Sequence, residues 1–136
     1  MKKSKLVIAF MVIMTLLLTG CRGEETTVTY TAFLQNKTNA DAWIWIGHES
    51  EINDSYKVAP GQLKMIQITL KGYRKDDNST GTTKYTDEIV DSIKVNYSAD
   101  GKKIGKETLK VNMYHEEGEA IPNLYIRYDG TGVTLN

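Results

Sequence analysis

Hydrophobic and polar side chains alternate one by one along several segments of this chain, and this alternation constrains the fold more than any other feature. In the clearest segment, 27–35, the hydrophobic residues that share one face are Val28, Tyr30, Ala32 and Leu34. The same alternation recurs over 93–97, 109–113 and 124–128. Successive side chains of a β-strand point to opposite faces, so a period of two indicates strands with one buried and one wet face. Such strands are typical of antiparallel sheets.

Two further segments are hydrophobic on both faces, and turn signals separate all of these runs. Ala42–Ile46 is predicted to be a central strand, and Leu63–Leu70 a strand whose even-numbered side chains from Ile66 onward face the core. Pro60-Gly61 has the chemistry of a type II turn, and Asp-Gly at 100–101 and 129–130 is a hairpin signal. About seven or eight short strands predict an all-β protein, an antiparallel sandwich of two sheets.

The order of turns and strands in the first half of the chain has a counterpart in known domains. A strand ending in Asn36-Lys37-Thr38 precedes the hydrophobic strand 43–46, and Val58-Ala59-Pro60-Gly61 precedes a third strand at 63–70. This order resembles bacterial immunoglobulin-like sandwich domains. The resemblance rests on turn and core chemistry, so it implies an immunoglobulin-like fold and no catalytic residue.

The segment Gly72–Thr86 is polar, and its only large hydrophobic residues are Tyr73 and Tyr85. It shows no alternation, so we expect the longest loop of the domain here. Loops of this length are uncommon unless they are functional or disordered. We therefore expect this loop to contribute to recognition and to be dispensable for folding.

The start of the chain has the features of an export signal. Three lysines within the first five residues precede a hydrophobic run over Leu6–Leu18. As a helix this run would rise about 20 Å, which is short of the roughly 30 Å hydrocarbon core of a bilayer. A basic start, a short hydrophobic body and a small-residue exit indicate a removed signal rather than a spanning helix.

The hydrophobic run ends in Leu18-Thr19-Gly20-Cys21, which resembles the lipobox of bacterial lipoproteins. The resemblance implies cleavage between Gly20 and Cys21 and a diacylglyceryl group, with chains such as palmitate, on the Cys21 sulfur. It implies a removed signal at 1–20 and a lipidated cysteine that begins a polar tether at 21–27. The length and the strand pattern of the remainder predict a single β domain at 28–136. Such a protein is anchored by lipid to the cell membrane or outer membrane, with its domain outside the cytoplasm.

Charge and cysteine content exclude several classes of protein. The chain has 17 basic and 17 acidic residues, but the predicted signal takes three lysines, which leaves 14 basic and 17 acidic residues. A net charge of −3 gives no basic surface for nucleic acid, so we expect no nucleic-acid partner. Cys21 is the only cysteine, so an intrachain disulfide and a multi-cysteine zinc site are excluded.

Two histidines and nearby carboxylates are the candidate metal ligands. His115, Glu116 and Glu119 lie in one polar segment, and His48 follows the tryptophan strand. Imidazole and carboxylate suit zinc and other divalent ions. The spacing matches no zinc motif, so solvated loops are the interpretation that we favour over a metal site, and we expect no cofactor.

Trp43 and Trp45 are the candidate ligand-binding residues. Period-two geometry places both indoles on one face of a strand. If exposed, they would form a stacking platform for carbohydrate or cell-wall glycan, which Phe33 and Tyr125 could extend. Burial between sheets is the alternative, because tryptophan supplies much hydrophobic surface to a core.

Motifs for covalent catalysis and phosphate binding are absent from the sequence. It contains neither Gly-x-Ser-x-Gly nor a glycine-rich phosphate loop. We therefore expect a non-enzymatic, lipid-anchored β-sandwich that binds or assembles with a protein or glycan partner outside the cytoplasm. Carbohydrate binding through the tryptophans and metal binding through the histidines are the alternatives.

Overall fold

The computed structural model describes residues 23–77 and 81–136, and within them the chain forms eight β-strands and one 3-10 turn at Asp54–Tyr56. The strands are β1 (Glu24–Asn36), β2 (Ala42–Ile46), β3 (Lys57–Val58), β4 (Leu63–Asp77), β5 (Lys84–Ser98), β6 (Gly105–Glu116), β7 (Leu124–Tyr128) and β8 (Val133–Leu135). The all-β prediction is confirmed. The signal segment 1–20 and the lipobox cysteine lie outside the described residues.

The eight strands form one mixed sheet in the order β3-β2-β5-β4-β1-β7-β8, and β6 pairs with β5 beside this path. All pairs are antiparallel except β1 and β7, which run parallel from Ala32 opposite Leu124 to Asn36 opposite Tyr128. The predicted antiparallel pairing therefore holds for every pair among the described strands except this one. The alternation within a strand encodes its buried face, whereas the direction of its neighbour depends on residues distant in sequence.

Strand β5 changes its neighbour along its length. Its first half pairs with β4, from Lys84 to Ile89, and its last residues pair with β2, from Val95 to Ser98. Along the opposite edge it pairs with β6 from Thr86 to Tyr97. One long strand therefore connects two groups of strands that would otherwise be separate.

Strands that are distant in the sheet order come into contact at two points. The rings of Tyr97 on β5 and Tyr128 on β7 lie 5.3 Å apart between centroids. These strands are three places apart in the sheet order, which would be about 14 Å in a flat sheet. At another point of closure, the Val133 backbone N–H on β8 donates to the Glu107 carboxylate on β6 at 2.8 Å.

The hydrophobic core lies inside this fold and uses the faces predicted from alternation. Its buried residues from β1 and β7 are Val28, Tyr30, Ala32, Leu34, Leu124, Ile126 and Tyr128. Ala42, Ile44, Ile93 and Val95 contribute from the facing strands. Leu70 is buried as predicted, whereas Ile66 and Ile68 pack against the core and remain partly exposed.

The predicted turns form where the sequence indicated them. Gly61 has φ of +74° and the Gln62 N–H donates to Ala59 O at 3.0 Å, as the Pro60-Gly61 turn requires. The buried Asn36 holds the turn after β1, since its side-chain amide donates to Ala40 O at 2.7 Å and Val58 O at 2.9 Å. These bonds join the last residue of β1 to β3.

The predicted loop over Gly72–Thr86 is wrong, because most of it is a hairpin between β4 and β5. Residues 72–77 pair with 89–84, and Arg74 opposite Asp87 forms a bidentate ion pair with N–O distances of 2.8 and 3.1 Å. Polar cross-strand pairs stabilise this hairpin, so hydrophobic alternation does not reveal it. Deleting this segment would remove paired strand residues of β4 and β5, so we expect the deletion to destabilise the domain.

The last four residues of the predicted tether, 24–27, belong to a strand. Strand β1 begins at Glu24, which pairs with Arg74 of β4, and the pairing continues through Glu25, Thr26 and Thr27. Strand structure therefore begins before residue 28, because backbone pairing with β4 needs no hydrophobic face.

Gly72 marks the point at which β4 begins to pair with β5. A Cβ atom added at Gly72 would overlap the Glu88 carbonyl oxygen and lie 2.8 Å from Ile89 Cα. We expect Gly72→Ala to lower the free energy of unfolding by about 1–3 kcal/mol, since the β5 backbone must move. Urea unfolding measures this change. Lys71→Ala, one residue earlier and exposed, is the control, and an equal loss in both variants would contradict the account.

Candidate functional site

The first nine residues of β4, Leu63–Lys71, pair with β1 on one side only. Strand β5 joins the other side at Gly72. The Lys71 N–H points to that other side, because it donates to the Asp91 carboxylate on β5 at 2.8 Å. Backbone N–H and C=O groups alternate between the two edges of a strand, so those of Met65, Gln67 and Thr69 also point away from β1. This unpaired side of Leu63–Lys71 is called the open edge below.

The outer sheet surface beside the open edge is hydrophobic at one end. Met65 is 67% exposed and Leu63 is 49% exposed. Met65 lies opposite Phe33 on β1, and Phe33 stacks on Tyr125 of β7 with ring centroids 5.4 Å apart and planes 18° apart. A row of three large side chains therefore crosses β4, β1 and β7 at this end of the open edge.

A groove lies on the inner side of the open edge, between β4 and β2. It has a cavity of about 310 Å³, lined on the β4 side by Ile66 and Ile68 and on the β2 side by Ile44 and Ile46. The Lys64 ammonium donates to the Ser55 carbonyl across one end of this groove. The open edge is thus bordered by hydrophobic side chains on both of its faces.

The tryptophans do not form an exposed stacking platform. Trp45 is only 2% exposed, stacks on Tyr56 at 5.0 Å, and donates its indole N–H to the Glu49 carbonyl at 3.0 Å. Trp43 is partly buried, with the Lys57 ammonium 5.3 Å from the ring centroid, and its indole N–H meets no acceptor among the described residues. Both indoles lie on the strand face opposite the core residues Ala42 and Ile44, so local contacts rather than the main core cover them.

Phe33 and Tyr125 do not extend a tryptophan surface either. They stack on each other on the outer side of β1 and β7, whereas the indoles lie on the outer side of β2. Because β2 and β1 face each other across the core, these two outer surfaces point in different directions.

The two histidines lie apart and do not form a shared site. His115 is opposite Asp87 on β5, whereas His48 lies beside Lys94, seven residues further along the same strand. That separation is about 23 Å. Over residues 23–77 and 81–136, no group of three or more His, Cys, Asp or Glu side chains is placed to hold a metal ion.

The predicted metal ligands have other partners in the structure. His115 Nε2 and the Tyr30 hydroxyl share a hydrogen bond of 2.5 Å. Glu119 accepts from the Glu116 backbone N–H at 3.1 Å and closes the turn after β6, while Glu116 itself is exposed. Burial raises the pKa of the Tyr30 phenol, and the Asp87 carboxylate raises it further. The cluster joins β1, β5 and β6 and serves packing.

Comparisons with known proteins give no match to this chain among protein families, curated proteins or solved structures. Within the part of the chain that the structure describes, no helix is long and hydrophobic enough to cross a membrane. Gly20 and Cys21 lie outside that part.

The sequence favours recognition through a sheet edge, but it did not place that edge on β4. The only local signal is the uncharged stretch 65–70, which lacks proline and glycine. Such a stretch has a high tendency to pair with other strands. Whether one of its edges stays unpaired depends on where β5 leaves β4, and no short pattern encodes that position.

Burial of Trp45 under Tyr56 gives a spectroscopic prediction. In a Trp43→Phe background, Tyr56→Ala should move the Trp45 emission to longer wavelength and increase quenching by acrylamide, because water reaches the indole. Tyr114→Ala removes an exposed aromatic ring on β6 and is the control. An emission of exposed indole before the substitution, or a shift caused by added cell-wall glycan, would restore the platform hypothesis.

Buried tyrosines make stability depend on alkaline pH. Burial raises the pKa of both Tyr30 and Tyr128 above the ordinary value of 10.0. The unfolded state therefore loses these protons first, so the contribution of the neutral phenols is complete below about pH 10 and is lost as pH rises beyond it.

Tyr128→Phe should flatten this decline, measured as urea unfolding free energy from about pH 8 to about pH 11. Ile126→Val, which shortens a neighbouring core side chain, should lower stability by about 0.5–1.5 kcal/mol at every pH. If Tyr128→Phe shows the same pH slope as wild type, the buried phenol does not cause the decline.

Proposed function

We propose that this protein is a bacterial lipoprotein whose β domain binds a partner outside the cytoplasm and catalyses no reaction. The observation that carries the binding role is the open edge of β4, with backbone donors and acceptors directed outward at alternate residues. An added strand satisfies such groups without any catalytic side chain, which is the mechanism of strand addition. The hydrophobic residues on both sides of the edge supply the contact area.

The anchoring role is supported by the N-terminal sequence. Acyl chains on Cys21 contribute about 0.8 kcal/mol for each buried methylene, and two or more chains give stable attachment. Because β1 begins at Glu24, three residues after Cys21, the sheet begins within about 10 Å of the lipidated sulfur. The domain therefore lies against the membrane surface, on the cell membrane or outer membrane, rather than on a long tether.

The fold that fits this role is an immunoglobulin-like sandwich of two sheets. The close approach of Tyr97 to Tyr128 and the bond between Glu107 and Val133 support two facing layers. In this description β5 and β6 belong partly to both layers, and the open edge of β4 is a side of one layer.

A protein segment is the partner class that the geometry favours over glycan. A glycan site needs an exposed aromatic face, whereas Trp45 is covered by Tyr56 and Trp43 by Lys57 and Gly101. A strand needs an unpaired backbone edge with side-chain contacts at alternate positions, and β4 offers both.

Radiolabelled palmitate and membrane fractionation test the anchor. The wild-type chain should incorporate label, lose its signal and remain with membranes, because the thioether-linked lipid holds it there. Cys21→Ser should incorporate no label and retain its unprocessed mass, while Ser50→Cys in that background controls for a cysteine elsewhere. Absence of label from the wild type would overturn the lipoprotein assignment.

A further inference from the structure

The open edge presents a six-residue stretch of strong strand formers, Met65-Ile66-Gln67-Ile68-Thr69-Leu70. It contains no charge, proline or glycine, which is the composition of segments that pair readily with other strands. Natural proteins protect such edges with charged residues, proline, bulges or a covering segment. Because the central residues Met65 to Thr69 carry none of the first three, we expect a covering strand.

The edge of β6, another long edge among the described residues, carries charge along its length. Its outer surface carries the exposed Lys106 and Lys110. Near its start, the Glu107 carboxylate accepts from the Val133 backbone on β8. Between Met65 and Leu70 the β4 edge carries no charge, and its lysines, Lys64 and Lys71, lie only at the two ends of the open segment.

We infer that the covering strand is β4 of a second copy of this chain, running antiparallel about a two-fold axis at Gln67. The inference rests on the proposed function, which makes the open edge a binding surface. The open segment Leu63–Lys71 has Gln67 as its middle residue. Self-pairing about Gln67 therefore covers the segment apart from the Lys71 N–H, which stays bonded to Asp91, and the contact is closed and symmetric.

The backbone groups are complementary in this register. The outward N–H and C=O groups belong to odd-numbered residues, as the bond from Lys71 to Asp91 indicates. With Gln67 opposite its own copy, Met65 lies opposite Thr69 of the second copy, so odd-numbered residues meet each other. Directly opposed residues with inward-facing groups exchange two hydrogen bonds in an antiparallel pair.

The side chains are complementary as well. On the inner face Ile66 meets Ile68 of the second copy, and β-branched cross-strand pairs are favourable. Lys64 meets Leu70 and Lys71 meets Leu63, so no two like charges are directly opposed. The partly exposed isoleucines and the exposed Met65 are the hydrophobic residues that this pairing covers.

Disulfide cross-linking in intact membranes tests the register. The full chain carrying Gln67→Cys is produced in an exporting bacterium and oxidised with copper phenanthroline. In the inferred pair the two Cα atoms at position 67 lie about 5.5 Å apart, inside the range of about 4.4–6.8 Å that a disulfide spans. We expect a product of twice the chain mass.

Thr69→Cys is the matched control, on the same face of the same strand. Its two copies would be about 14 Å apart, so cross-linking should fall at least about tenfold. Co-expression of Met65→Cys and Thr69→Cys chains should restore the product, because these positions are opposed. Wild type controls for Cys21.

The outcomes separate the inference from the proposed function. Equal cross-linking at positions 67 and 69, or a ladder of higher oligomers, would overturn the two-fold pairing about Gln67. A Gln67→Cys adduct with a different protein would overturn the second copy as the partner and leave the binding role of the edge intact. No adduct at position 67 would overturn the pairing of two copies alone, because a disulfide needs a thiol on both partners, and palmitate labelling would still report on the anchor.

Sedimentation of the detergent-extracted full chain gives an independent measurement. Gln67→Pro removes an N–H that forms no bond within the sheet, so the variant should fold. Its dimer dissociation constant should rise at least about tenfold, because the hydrogen bond to the second copy is lost. Gln67→Thr keeps the N–H and should remain dimeric. A Gln67→Pro variant that melts as wild type and remains dimeric would refute the inference.

Discussion

The structure depends on the change of neighbour along β5. This strand pairs with β4 as far as Ile89 and with β2 from Val95 onward, while β6 covers its other edge throughout. A single strand therefore belongs to both groups, and the buried side chains of both groups form one core cluster. The same change leaves Leu63–Lys71 of β4 with a paired side and an unpaired side. The architecture and the candidate binding surface therefore have one physical origin.

The side chains around the open edge differ in kind from those of the other candidate sites. The tryptophans are covered by Tyr56 and Lys57, and His115 is bonded to the buried Tyr30. These groups have partners that hold the fold together. The backbone N–H and C=O groups of the odd-numbered residues on the open edge of β4 point away from β1, next to the exposed Met65. Recognition by strand addition uses this combination, an unpaired backbone edge for hydrogen bonds and a hydrophobic surface for side-chain contacts.

The sequence was sufficient to predict the strands and the core face but not the way the strands pair. Alternation in 27–35 and 124–128 is local, and the predicted core residues Tyr30, Leu34 and Ile126 are buried. The hairpin around Arg74 and Asp87 was predicted as a loop, because cross-strand ion pairs and not alternation stabilise it. The parallel pairing of β1 with β7 and the open edge depend on distant contacts. The lipid anchor rests on the sequence alone and stays a prediction.

Amide hydrogen exchange along β4 tests the central claim most directly. In dilute, monomeric protein the amides of Ile66, Ile68 and Leu70 should be protected by bonds to β1, whereas those of Met65, Gln67 and Thr69 should exchange rapidly. Raising the protein concentration should then protect the second set. Uniform protection of both sets in the monomer, or the opposite alternation, would contradict an open edge on β4.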